Sequence, residues 1–446
     1  MKKTIVWSVV GLAIVAVAGL SVLLFRWLNR PQVMVFENGA TLKMLGADYG
    51  KHHTAPPGNG RTFTTANDEL VVWIRKDHKP GESLNTQFYV YDEAGTACAP
   101  FVGRGGTVGG WQGSVEVQGI RFDAFPRRQD KFYVALQYSS NTGDSGLQTE
   151  KFVISNPARG QAYPQWTAEP LPDTKEDGDL SVTLTKLVAG MAMPFNRDQD
   201  DPDSVVNKGV QAVFHVERNG AAATNWQAVS VQTSDATGNS VTSDGGSQFN
   251  PLVTRNIGLQ NNWQDGEDTL SYQYGLWPDE PAWKVRVEFS QQSGFTEDET
   301  FTASGIPFKP GRQQDLWGPG GRGAMPTGTP AAETDLNGYH IKIFPAEQFQ
   351  NLNNPQGGLF IQTSPPLTDG MRLTLVKITD NQTNDIDFQN FVPPLGNNTG
   401  TFTYELNDIA GSTNLTLTLA LHQSHFVEFT VKPEKALTSA DDTQQN

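Results

Sequence analysis

Ala282–Ser290 reads AWKVRVEFS. Trp283, Val285, Val287 and Phe289 fall on one face of an extended chain, and Lys284, Arg286 and Glu288 on the other. Alternation with a period of two is the signature of a half-buried strand and does not fit a helix. The same signature returns in DKFYVALQY at Asp130–Tyr138 and in LTLTLALHQ at Leu415–Gln423. Gly, Asn and Asp clusters punctuate the chain between such stretches, and no amphipathic helix of three or more turns stands out. The sequence therefore predicts an all-β fold.

Each long strand has companions that recur in order. Upstream lies a strand that ends in an aspartate-initiated turn. It reads QFYVYDEAGT at Gln87–Thr96, AVSVQTSDATGNSV at Ala228–Val241 and LTLVKITDNQTNDI at Leu373–Ile386. An aspartate can accept a hydrogen bond from backbone two residues on, and Gly or Asn tolerates positive φ, so Asp92, Asp235 and Asp380 each predict a hairpin. Downstream lies a closing strand that runs into proline: EKFVISNP at Glu150–Pro157, ETFTASGIPFKP at Glu299–Pro310 and VEFTVKP at Val427–Pro433. Proline cannot continue a central ladder and is expected to mark the end of each strand. The first two copies also open alike, with TLKMLGADYG at Thr41 and SVTLTKLVAG at Ser181. The order predicts tandem β-sandwiches of immunoglobulin or fibronectin III type, at 31–158, 159–310 and 336–434. A Gly/Pro-rich linker is expected over 311–335 and a disordered tail over 435–446.

The N-terminus reads differently. Thr4–Phe25 is uncharged and apolar for 22 residues, which as a helix would span roughly 33 Å, enough for a bilayer core. Trp7 and Trp27 flank it, with Lys2 and Lys3 before it and Arg26 and Arg30 after it. The run is longer than the about 7–15 residues of a cleaved signal peptide, and it ends in bulky side chains where a cleavage site needs small ones. The expectation is an uncleaved signal anchor in residues 1–30, with the N-terminus cytoplasmic and the body periplasmic or extracellular.

Charge and cysteine usage restrict the partners. Residues 1–30 hold no acid. With their four bases set aside, 48 acids face 29 bases in the body, which argues against nucleic acid as a partner. Cys98 is the single cysteine, so no internal disulfide and no CxxC metal site can form.

Candidate chemistry is sparse. Asp198, Asp200, Asp201 and Asp203 crowd four carboxylates into NRDQDDPD. Calcium accepts six to eight oxygen ligands from irregular loops, so these four are the candidate metal ligands, against a solvated acidic loop. Trp111, Trp166, Trp263, Trp277 and Trp317 lie among Gly, Pro or Asn. Exposed there, their indoles could stack on sugar rings, whereas buried they would plug the ends of sandwiches. Gly143–Gly146 reads GDSG, like the surroundings of a protease nucleophile, but no histidine context accompanies it and it suits a hairpin tip. Gly318–Gly323 fits GxGxxG without the strand and helix that such a loop requires. His52 and His53 are adjacent and should point to opposite faces, while His422 and His425 are three apart and should not converge. Asp279 and Glu280 are adjacent and are expected to point apart.

Gly275–Phe295 and His425–Pro433 resemble segments of membrane-anchored proteins of planctomycete and verrucomicrobial bacteria. The resemblance is clearest over 260–310 and 370–433. It implies an envelope location and brings no activity. The functional expectation is a non-enzymatic, membrane-anchored envelope scaffold that binds or spaces other components, with protein or glycan partners. A glycan-binding module is the alternative, and a hydrolase assembled from distant residues is a third.

Overall fold

The computed structural model describes residues 32–436 except for 37–38, 56–61, 79–83, 95–96, 99–110, 113–114, 123, 141–144, 148–150, 193–207, 245–266, 273–275, 312–327, 350–355, 369, 392–399, 408 and 410. Among the described residues the regular structure is strand throughout, apart from one short 3-10 turn. The described residues pack as two compact units. One is drawn from Met1–Gly95 and Pro100–Gln161, the other from Thr96–Ala99 and Ala162–Asn446.

Along the chain to residue 155 run β1 (Val33–Val35), β2 (Thr41–Thr54), β3 (Thr62–Asp77), β4 (Leu84–Tyr91), β5 (Ala97–Cys98), β6 (Trp111–Gln112), β7 (Val115–Phe122), β8 (Lys131–Ser140), β9 (Ser145–Leu147) and β10 (Phe152–Ser155). In the first unit one sheet has the order β1-β2-β3-β7-β6, and β10, β8 and β4 lie side by side in another. Their rings meet in the core: Tyr49 of β2 packs edge-on against Phe125, which in turn packs against Phe132 of β8. The middle of β3 is buried on both faces. Leu70, Val72 and Ile74 fill one side, and Val71 and Trp73 pack with Ala55, Leu45, Phe63 and Val117 on the other. Trp73 lies over Gly119 of β7, where a Cβ would come within 3.0 Å of its ring. The edge at β10 is closed by one side chain: the Gln32 amide donates to Val153 O at 2.7 Å and accepts from Val153 N at 2.6 Å. Such cover blunts an edge that would otherwise recruit another strand.

The second unit continues with β11 (Asp173–Asp177), β12 (Leu180–Ala192), β13 (Lys208–Arg218), β14 (Ala221–Ala222), β15 (Trp226–Asp235), β16 (Ser240–Asp244), β17 (Glu267–Tyr272), β18 (Trp283–Gln291), β19 (Thr300–Gly311), β20 (Ala332–Leu336) and β21 (Tyr339–Ile343). It ends with β22 (Ala346–Phe349), β23 (Gln356–Ser364), β24 (Met371–Asp380), β25 (Phe388–Phe391), β26 (Thr401–Leu406), β27 (Asn414–Gln423), β28 (His425–Val431) and β29 (Glu434–Lys435). Its middle sheets run β11-β12-β13 and β16-β15-β18-β28. Phe214 of β13 joins them, with Phe289 of β18 at 5.6 Å and Phe429 of β28 at 6.0 Å between ring centroids. Its last sheets run β19-β27-β24 and β20-β21-β23-β22-β19 around a core of Leu, Ile and Tyr side chains. β19 serves both. Thr300–Pro307 pairs antiparallel with β27, and Phe308–Gly311 then pairs parallel with β22. A bulge between Ser304 and Ile306 marks the change of course, with Gly305 at φ +74°.

The repeat read from sequence reappears as three strand triples. Each joins an aspartate-turn strand, a long alternating strand and a closing strand: β4-β8-β10, β15-β18-β28 and β24-β27-β19. In the first triple the closing strand follows its partner along the chain. In the other two the closing strands are traded. β28 pairs with β18, from Trp283↔Val431 to Phe289↔His425, and β19 pairs with β27. Loop length explains the trade. Only Ser424 separates β27 from β28, and a hairpin loop takes at least two residues, so β28 cannot fold back on β27.

Several expectations change on this evidence of pairing. A boundary at 310 falls inside β19, which pairs with strands of the following segment, while β28 returns to strands of the preceding one. β19 spans Thr300–Gly311, within a residue of the stretch read as a closing strand, and the internal Pro307 does not end it, because the strand changes partner there. The single-pass placement is corrected: among the described residues no helix is long and apolar enough to cross a membrane. Thr4–Phe25 itself lies outside the described residues, as do most of the linker at 312–327 and the tail from 437.

Candidate functional site

The aspartate turns form as the sequence predicts, and they are structural. Asp235 Oδ1 accepts from Thr237 N at 2.8 Å, from Thr237 Oγ1 at 2.6 Å and from Asn239 N at 3.3 Å. Asp235 Oδ2 accepts from Asn239 Nδ2 at 2.8 Å. Asp380 repeats the cage, with Gln382 N and Asn384 N at 2.8 Å on Oδ1 and Asn384 Nδ2 at 3.0 Å on Oδ2. The Asn384 side chain, with these amides, holds the Asp380 carboxyl below the usual range. Asp92 is likewise buried at the end of its strand.

Charged groups meet across strands in pairs. Glu69 of β3 accepts two bonds of 2.6 Å from Arg121 of β7. Glu288 of β18 accepts two from Arg372 of β24, which joins the middle and last sheets. Beside that pair, His422 Nε2 lies 3.0 Å from Thr374 Oγ1, and the Phe295 ring packs at 4.9 Å. Burial pushes the His422 pKa down. His425 faces elsewhere, toward Asp177 at 3.2 Å and the ring of Trp226 at 5.0 Å. The two histidines therefore do not converge. His52 and His53 also part, His52 reaching Thr64 at 3.1 Å and the buried His53 donating to Asp48 at 2.9 Å.

Of the five tryptophans, Trp263 and Trp317 lie outside the described residues, and Trp111 is placed only as part of β6. Trp277 is 3% exposed, and its carbonyl accepts from Trp283 Nε1 at 3.2 Å. Its indole belongs to the core, so it is withdrawn from the candidate glycan contacts. Trp166 is half-buried on the extended segment before β11. Lys284 lies 5.2 Å from its ring centroid and pairs with Glu428 at 3.0 Å. The same segment meets the β28 edge, where Glu169 N donates to Thr430 O at 2.7 Å.

Asp198, Asp200, Asp201 and Asp203 lie outside the described residues, as do Gly143 and Asp144 of GDSG and all of GxGxxG. Among the described residues no group of three or more His, Cys, Asp or Glu side chains is placed to hold a metal ion. Asp279 pairs with Lys435 at 2.5 Å, and Glu280 is buried.

One buried acid escaped the sequence reading. Asp268 of β17 is 1% exposed, and neither carboxyl oxygen has a hydrogen-bond partner among the described residues. Burial pushes its pKa up to about 7. The signal was available, because Asp268, Leu270 and Tyr272 share one strand face, which placed an acid among core residues. The Glu288–Arg372 pair had no such signal, since its members lie 84 residues apart.

No protein-family model and no curated protein matches the chain.

Proposed function

We propose that the protein is a non-enzymatic binding or spacing scaffold built of immunoglobulin- or fibronectin-like β-sandwiches. The support is the use its sheets make of their polar groups. Asp235 and Asp380 are caged in turns, and Glu69 and Glu288 each take both oxygens to an arginine on another strand. These acids hold strands together, and a group so fixed is not free to take or give a proton during a reaction. The test is capture of the full chain after crosslinking in the cells that make it, with mass spectrometry of what accompanies it. A reproducible protein partner supports the scaffold; robust hydrolase activity of the purified chain overturns it.

A second reading, glycan binding, is favoured by Trp166. Its indole is partly open at the edge of a sheet and shares its surroundings with Lys284 and Glu428, a mixture of aromatic face and polar groups suited to a sugar ring. Polysaccharide fragments should then change tryptophan fluorescence, and Trp166→Ala should abolish the change. An unaltered signal in the variant rejects this reading.

A further inference from the structure

The exchanged closing strands have a consequence for how the second unit opens. The core of the middle sheets is completed by Val427, Phe429 and Val431, all buried, from a strand supplied after the last sheets. β29 follows and pairs parallel with β12 at Val188 and Ala189, and Ala436 N donates to Ala189 O at 2.9 Å. The C-terminal stretch thus touches both middle sheets. Reciprocally, β19 follows β18 and supplies Ala303 and Ile306 to the core of the last sheets. Two covalent crossovers tie the exchange. One is Ser424 alone; the other is Gln292–Glu299, whose 3-10 turn is closed by a reciprocal Thr296–Glu299 capping box.

We infer that β28–β29 and β19 form a clasp that makes the middle and last sheets one cooperative body, so that neither opens without the other. Release of β28 uncovers Phe214 and Phe289 and pulls through one residue on β27, which lies between β19 and β24. Displacement of β19 pulls through eight residues on β18, the strand that holds β28. The Glu288–Arg372 pair bridges the same junction, with His422 and Phe295 beside it. Tandem sandwiches with local closing strands would lack this coupling, since each could open about its own linker. The inference does not depend on what the protein binds.

The experiment is native-state hydrogen exchange on the full chain at rising, sub-denaturing guanidinium. Amides of β15, β18 and β28 and amides of β19, β24 and β27 are expected to merge into one opening with a common denaturant dependence. Two separate openings, with one set exchanging while the other stays protected, would overturn the clasp. Phe429→Ala sharpens the test. It removes a fully buried ring from the middle core, and exchange should quicken by about a hundredfold in both sets. Acceleration confined to β15, β18 and β28 would equally overturn the inference. Should that variant fail to fold, Phe429→Leu and the unsubstituted chain give the same two outcomes.

Discussion

At the scale of single residues, the fold depends on a few acids whose surroundings differ sharply. Asp235 accepts four bonds within its own turn. Asp235→Ala leaves those donors to find other partners and should cost about 1–3 kcal/mol, measured by urea unfolding; no loss would mean that the cage is incidental. Asp268 is the opposite case, buried with no hydrogen-bond partner among the described residues and shifted up to about 7. A raised carboxyl pKa means that the folded state holds the proton more tightly than the unfolded chain does. Its contribution is therefore fully present below the unfolded value near 4 and is lost as pH rises through about 7. Stability should decline across that window by roughly 2–4 kcal/mol, and Asp268→Asn should flatten the decline. An equal slope in the variant and the native chain, in unfolding series at pH 4 to 8, rejects the assignment.

At the scale of elements, glycines permit approaches that strand periodicity does not disclose. Gly357 opens β23 beside β22, and a Cβ there would lie 2.7 Å from Glu347 O and 2.9 Å from Ile409 Cδ1. Backbone cannot yield as a side-chain tip can, so Gly357→Ala should destabilise the second unit by about 1–3 kcal/mol. A neutral result in chemical denaturation would mean that β22 shifts freely. The strands themselves were legible. Trp283, Val285, Val287 and Phe289 are all fully buried, and Lys284 and Glu288 make their ion pairs from the opposite face. Glu288 is nonetheless buried, because Arg372 arrives from a strand far along the chain. The extent of β19 was legible as well, since Glu299–Pro310 reads as one strand, but its change of partner from β27 to β22 after Pro307 was not.

At the scale of the whole molecule, the division into two compact units predicts two steps of unfolding. Phe132→Ala empties a buried site in the first unit and Leu417→Ala one in the second. Each should lower one calorimetric transition by several degrees and leave the other in place. A single transition that both substitutions move together would refute the division. The chain's own residues determined that it is all-β, which faces of its strands are buried and where its aspartate turns fall. Those properties rest on a period of two and on hydrogen bonds spanning four residues, and both are local. Which strands pair was decided only in three dimensions. Ladder hydrogen bonds join backbones and read no side chain, so β18 could have taken any strand of matching alternation. The single residue between β27 and β28, and the fit of Phe429 against Phe214, directed β28 to β18.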